Sequence, residues 1–486
     1  MNDYQQLTNL MFKWSSLYGA YAILNWDKAT MMPKGSHSLR AEQMSVLSTM
    51  QHEIIASQEV AELLDRIDIT VLNDWQKANI REIHRLHIMA IATSPALTSR
   101  LTRAAVKCEE AWYAQANETS QPSLEQNFEE LLALTREMAS SLGEKLGISS
   151  YDALLEQHQP GLRAESVDAI FSKIEPFTSS LVATIKGSPK QQNIWPRISK
   201  NQQKKFANTL MVNMEFDFNT GRLDESRHPF TGGLTGDIRV CSYFKPENIL
   251  LSISALMHET GHASYEARLP KQHLGQPVSD SRGMCIHESL ALLFERQVGH
   301  SDAYLGYLAK QLENNFDHVD YFNKERLCEH FNTIHTDGIR VTADDFTYPA
   351  HILIRYKIEK ELLSGELSTK QLKSRWQELF ELYLDISPSP HEGPWQDIHW
   401  AVGYFGYFPC YLMGAVISAQ LFNKARKNPS IEMELSRGKF SSLLQWLDKK
   451  IYRQGCYHEF DELIIASCGV KLSADDFIKN LERRLK

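Results

Sequence analysis

The chain is 486 residues long, with 43% hydrophobic and 23% charged residues, an ordinary globular composition with enough apolar side chains for a sizeable core. Its formal net charge of -8 offers no broad basic surface, so nucleic acid is not an expected partner. Seven scattered cysteines (Cys108, Cys241, Cys285, Cys328, Cys410, Cys456 and Cys468) form no C-x-x-C pair, which excludes a disulfide framework and a thiolate zinc site as expectations and suits a reduced, cytoplasmic setting.

The opening stretch MNDYQQLTNLMFKWSS carries Asp3 and only spaced apolar residues, so no secretory leader is expected. Leu7, Leu10, Met11, Trp14, Leu17, Tyr18 and Tyr21 recur at the helical period and predict a first helix with a core-facing stripe. The same period returns at Leu124, Phe128, Leu131, Leu132, Met138 and Leu142. Turn-rich or polar breaks are expected at Asn117–Ser123, Lys186–Lys205 and Ser387–Pro394. Thr231–Gly236 (TGGLTG) is glycine-rich, and the DIRVCSYF that follows alternates like a strand. A small sheet is expected there.

Next comes ISALMHETGHASYEARLP, in which His258, Glu259 and His262 stand as H-E-x-x-H. Residues four apart share one helix face, so two imidazoles there can reach one ion, with Glu259 beside them as a base. Ile249, Leu250, Ile253, Leu256 and Met257 supply an apolar stripe, and Pro270 follows the helix end. Glu266 continues the series but lies about 12 Å along the helix from His258, too far to share the ion. Tyr265 and Arg268 stand where a metzincin needs glycine and histidine, so that class is excluded. The third ligand must come from another element. Gly283–Glu295 (GMCIHESLALLFE) reads as a helix with Glu288 among apolar residues, and such a carboxylate needs a partner. His258, His262 and Glu288 are therefore expected to hold one divalent ion. Further on, Ala401–Asn423 runs 23 residues without a charge. Gly403, Gly406, Pro409, Gly414, three tyrosines and Gln420 interrupt it, so a buried helix and a loop leading into it are expected, not a membrane span.

The order H-E-x-x-H followed about 25 residues later by H-E-S resembles the carboxypeptidase Taq family of metallocarboxypeptidases. Other stretches agree: His228-Pro229-Phe230, Asp237 and Arg239 as the start of D-x-R-x-T, Ile339–Asp344 (IRVTAD), TYPAHILIRYKIEK, Gly393–Trp400 (GPWQDIHW), FGYFPCYLMG, and Trp26, Asp27, Met32, Pro33 and RAEQ near the N-terminus. Cys241 replaces the threonine of D-x-R-x-T, and Leu290 replaces the glutamine of H-E-S-Q. The resemblance implies a mainly α zincin-type metallopeptidase with a small β-sheet beside a deep groove. It implies one catalytic domain over residues 1–486, with helices up to about residue 110 as a groove wall. It also implies peptide substrates, a cytoplasmic homodimer, and one Zn2+ per chain, with Co2+ or Mn2+ as substitutes.

The implied reaction is removal of C-terminal residues from peptides with broad preference. A metallo-oligopeptidase cutting inside short peptides is an alternative, and a non-catalytic helical peptide-binding protein is a second, against which the intact His258, Glu259, His262 and Glu288 argue. Three protein ligands leave a fourth position for water, from which Glu259 takes a proton as general base. His399, Tyr407 and Tyr411 are candidate donors to the developing oxyanion, although for each tyrosine a core role is an equal alternative. Arg340 is the candidate clamp for the substrate carboxylate. Arg355 is its rival, but it shares a helix face with His351 and Glu359, which suits a structural ion pair. Asp237 and Arg239 either limit how much peptide fits or hold the strand. His287 is expected to support a ligand, and Asp397 to orient His399 or Arg340.

Overall fold

The computed structural model describes residues 2–116, 124–185, 195–316, 321–334 and 337–485. The break expected at Asn117–Ser123 lies outside the described residues, as does the part of Lys186–Lys205 before Trp195. Helices dominate, and among the described residues one three-stranded sheet accompanies them, as expected. No described helix is long and apolar enough to cross a membrane.

The Asp3–Thr30 helix starts at a capping box: Asn2 Oδ1 accepts from Gln5 N–H, and the Gln5 side chain accepts from Asn2 N–H. Its apolar stripe is core only at the start. Leu7 and Met11 pack with Ile55, Val60, Leu63 and Ile83, whereas Tyr18 is 46% exposed. The partner helix His37–Ile55 buries only Ile55, so it gives the later stripe residues little to pack on. The Leu124–Leu146 helix buries all six expected positions. The polar run before Lys205 is partly helical, because Ser199 Oγ accepts from Gln202 N–H and starts the Lys200–Asn213 helix.

Strands β1 (Gly221–Glu225), β2 (Phe230–Leu234) and β3 (Asp237–Ser242) lie in the order β1-β3-β2, with β3 parallel to β1 and antiparallel to β2. Two of the three glycines of TGGLTG are required by geometry. Gly236 has φ +97 in the β2–β3 turn, and a Cβ on Gly233 (φ +90) would lie 1.9 Å from Asp237 O. Strand β1 was not foreseen, because its sequence GRLDE is short and charged.

The chain gathers into two compact units. One comprises Met1–Ala90, Asn193–His330 and Ile417–Leu472; the other comprises Ile91–Gln192, Phe331–Val416 and Ser473–Lys486. The uncharged run from Ala401 supplies the Phe408–Ala425 helix, in which Leu412, Met413, Val416, Ile417 and Leu421 are buried, and the turn Trp400–Val402 ahead of it. All seven cysteines are free thiols.

Candidate metal centre

In the first unit the Ile249–Ala267 helix begins at Asn248, whose side chain accepts from Leu251 N–H. Ile249, Leu250, Ile253, Leu256 and Met257 are buried, which turns His258 and His262 to the opposite side. The Met284–Leu292 helix crosses it closely at Gly261, where an added Cβ would stand 2.7 Å from Leu290 O and 2.8 Å from Ala291 Cα. That approach brings Glu288 to the histidines. Ligand atoms of His258, His262 and Glu288 lie within 4.8 Å of one another. Both Nε2 atoms are 3.9 Å from Glu288 Oε2. This is too long for a hydrogen bond, yet two donors about 2.1 Å from one ion can stand up to about 4.2 Å apart.

The donor set fits a divalent ion on its own chemistry. Glu288 is buried, and among the described residues its carboxylate meets only these imidazoles as ion-pair partners. Each histidine has its other nitrogen engaged elsewhere: His258 Nδ1 lies 2.8 Å from Glu295 Oε2, and His262 Nδ1 lies 2.5 Å from His287 Nδ1. Burial works against charge on His258, but Glu288, Glu295 and Glu259 outweigh it and push its pKa up to about 10, so the pocket calls for a positive charge. Glu295 sits on the single π-helical stretch among the described residues, Leu293–Val298, which continues the Glu288 helix.

Glu259 is 6% exposed and receives Thr231 Oγ1 from strand β2 at 2.8 Å. Burial raises its pKa to about 6, restrained by the charge of His258 and by the Thr231 hydrogen bond. Glu266 does not join the ligand atoms. It accepts from His287 Nε2 at 2.8 Å. Asp237 and Arg239 face one another on β3 in a two-bond pair (3.0 and 3.0 Å), with the guanidinium 4.2 Å above the Trp26 ring. Cys241 and Leu290 are fully buried.

The remaining candidates lie in the second unit. Arg340 donates to Asp397 Oδ1 from Nε at 2.9 Å and from Nη2 at 2.7 Å, and Arg355 donates to Asp397 Oδ2 from Nε at 2.7 Å. Burial opposes ionisation of Asp397, but Arg355 and Arg340 hold its carboxyl well below the usual carboxylate range. Two buried guanidiniums thus share one carboxylate, leaving an excess positive charge. Arg355 is 1% exposed and Arg340 8%. The ion pair expected of Arg355 exists, but with Asp397. Glu359 instead accepts from Trp400 Nε1 at 3.1 Å and from the Gly406 N–H. His399 Nε2 lies 3.1 Å from the Tyr411 hydroxyl, and its ring is 5.5 Å from that of Tyr407. Burial lowers its pKa to about 4, so it is neutral at ordinary pH. Asp397 therefore holds the arginines and, among the described residues, makes no hydrogen bond to His399.

Sequence reasoning missed Thr231, Gly261 and Glu295. Glu295 left a trace, since it stands seven residues after Glu288 and so on nearly the same helix face.

A histidine pair on one helix, a carboxylate from a second and a buried glutamate beside them define a metallopeptidase of the H-E-x-x-H class. The family model for carboxypeptidase Taq (M32) metallopeptidases matches residues 6–485, and the chain belongs to that family. Thermostable carboxypeptidase 1 of Thermus thermophilus is 30% identical over 99% of this chain and 98% of its own length. Carboxypeptidase 1 of Bacillus subtilis is 30% identical over 99% and 97%. Among solved structures, metallocarboxypeptidase 1 of Trypanosoma cruzi matches with a TM-score of 0.95 at 28% identity, covering 100% of this chain and 99% of that one. The chain is accordingly a metallocarboxypeptidase, a peptide hydrolase.

Proposed function

We propose that the chain removes single residues from the free C-termini of peptides, with broad preference, using one Zn2+ held by His258, His262 and Glu288. The convergence of the two Nε2 atoms on Glu288 is the observation that carries this reading. When bound, the ion acidifies a water and polarises the scissile carbonyl, and Co2+ or Mn2+ would do the same. Glu259 takes the proton from that water and delivers it to the leaving amine. The Thr231 hydroxyl lies 2.8 Å from Glu259 Oε2 and 2.9 Å from the Glu259 main-chain O, so its one proton is shared between the carboxylate and the helix backbone. His399, Tyr407 and Tyr411 are assigned as donors to the developing oxyanion, and Asp237 and Arg239 as limits on peptide length or as supports of the strand. Arg340 is assigned to the substrate carboxylate, supported by the family motif and by the excess positive charge it shares with Arg355 over Asp397. The full chain as one catalytic domain, working as a cytoplasmic homodimer, completes the proposal, supported by the length of the family match and by the free cysteines.

Incubating the protein with a decapeptide as free acid and as C-terminal amide, with and without chelator, tests the reading. Loss of single C-terminal residues from the acid, abolished by chelator and slowed about 10-fold to 100-fold for the amide, is expected. In Arg340→Ala the acid should lose its advantage over the amide. Internal fragments would show an oligopeptidase instead. Glu259→Gln should keep the metal and lose about 100-fold to 10,000-fold in turnover, since glutamine cannot accept the water's proton.

A further inference from the structure

Both histidines of the H-E-x-x-H pair present a bare Nε2 to an ion only when Nδ1 carries the ring proton. For His258 this is decided directly, because Glu295 Oε2 stands 2.8 Å from Nδ1 and an ionised carboxylate can only accept. Among the described residues, His262 meets no carboxylate on that side. Its Nδ1 lies 2.5 Å from His287 Nδ1, and an imidazole nitrogen can either donate or accept. The direction is settled one contact further out, where His287 Nε2 stands 2.8 Å from Glu266 Oε1. Because Glu266 only accepts, a neutral His287 ring donates from Nε2, keeps its lone pair on Nδ1, and receives the Nδ1 proton of His262. Nε2 of His262 is then left bare, facing Glu288.

We propose that Glu266, acting through His287, is a positioning residue that fixes the tautomer and ring orientation of the metal ligand His262. Three features support it beyond the distances. Glu266 lies one turn after His262 on the same helix, so the carboxylate is held rigidly relative to the ring it governs. His287 adjoins Glu288 on the second helix, so the chain of bonds ties both ligand-bearing elements together. The His287 and Glu266 side chains are 14% and 24% exposed, which leaves water little room to replace their bond. Supporting groups of this kind change metal affinity by about 10-fold to 100-fold.

The inference rests on the metal-binding reading, and Zn2+ affinity measured by chelator competition on the full chain separates the two. Glu266→Ala is expected to bind Zn2+ about 10-fold to 100-fold more weakly than the parent. Glu266→Gln should also weaken binding, because its amide can donate to His287 and admit the opposite tautomer. Removing Glu266 and His287 together should cost no more than His287→Ala alone, since they act as one chain. In a thermal melt the Zn2+-dependent rise in Tm should shrink while the Tm of chelated protein stays close to that of the parent, which a merely structural role would not produce. If the alanine variant does not fold, the near-isosteric glutamine variant carries the test. Zn2+ affinity within two-fold of the parent in the folded variants overturns the inference but leaves the metal site standing. A parent that binds no Zn2+ overturns both.

Discussion

Gly261 is a glycine because no side chain fits: its missing Cβ is the space occupied by the backbone of Leu290 and Ala291. In Gly261→Ala the Met284–Leu292 helix must move off by several tenths of an ångström, and Glu288 moves with it. The expected outcome is a lowered Tm together with weaker binding of a divalent ion at the proposed site, both read from a melt series at increasing Zn2+. A melt unchanged by the substitution would mean the helices do not depend on this contact. The H-E-x-x-H pattern made the histidines legible in sequence, because four residues on one helix fix their geometry alone. Thr231 and Gly261 were not legible, since each acts on a partner that is distant in sequence or on a backbone that only packing brings near.

At the scale of elements, the Tyr348–Ser364 helix is tied to the segment ahead of Tyr407 by Glu359, which accepts from Trp400 Nε1, the Gly406 N–H and the Tyr151 hydroxyl. Burial pushes its carboxyl up to about 7, against those hydrogen bonds. The raised pKa means that this residue's contribution is full below the ordinary 4.5 and is lost as pH rises through about 7. Glu359→Gln removes that titration but turns an NH2 toward a donor, at a cost of about 1–3 kcal/mol. Chemical denaturation at pH 5 should find the variant clearly less stable than the parent, and at pH 8 the gap should narrow. A constant gap would exclude Glu359 as a titrating tie. The helical elements and strand β3 could be read from periodicity, whereas β1 forms only because β3 offers a partner edge. The pairing of Arg355 with Asp397 in place of Glu359 likewise depends on a loop 42 residues away in the chain.

Across the whole molecule, the first unit is assembled from three separate segments, and one buried cluster joins them. Arg282 donates to Glu82 at 2.8 and 3.1 Å and to His458 O at 3.2 Å, while Arg81 donates to Cys456 O at 2.6 Å. Burial opposes ionisation of Glu82, yet Arg282, Arg85 and Arg81 outweigh it and hold its carboxyl down to about 2. With the folded value below the ordinary 4.5, the stabilisation is present above pH 4.5 and is lost as pH falls toward 2. Glu82→Gln leaves Arg282 buried without its anion and should cost about 3–5 kcal/mol at pH 7, with a flatter pH dependence of the urea midpoint between 4.5 and 2. A variant as stable as the parent would show that the cluster is not what joins the segments.

The same three-segment assembly sets the order of events during synthesis. His258 through Glu295 leave the ribosome before Ile417–Leu472, the last piece of their unit, has been made. At about 5–20 residues per second, the roughly 180 residues from Glu295 to the end of that piece at Leu472 take about 10–35 s to appear. For that interval the proposed ligands are present while Arg282 still lacks the His458 carbonyl and Arg81 the Cys456 carbonyl. His258, His262 and Glu288 are thus all made before the segment that completes their unit, and a chain cut short after residue 416 would carry these residues without the rest of the unit that encloses them.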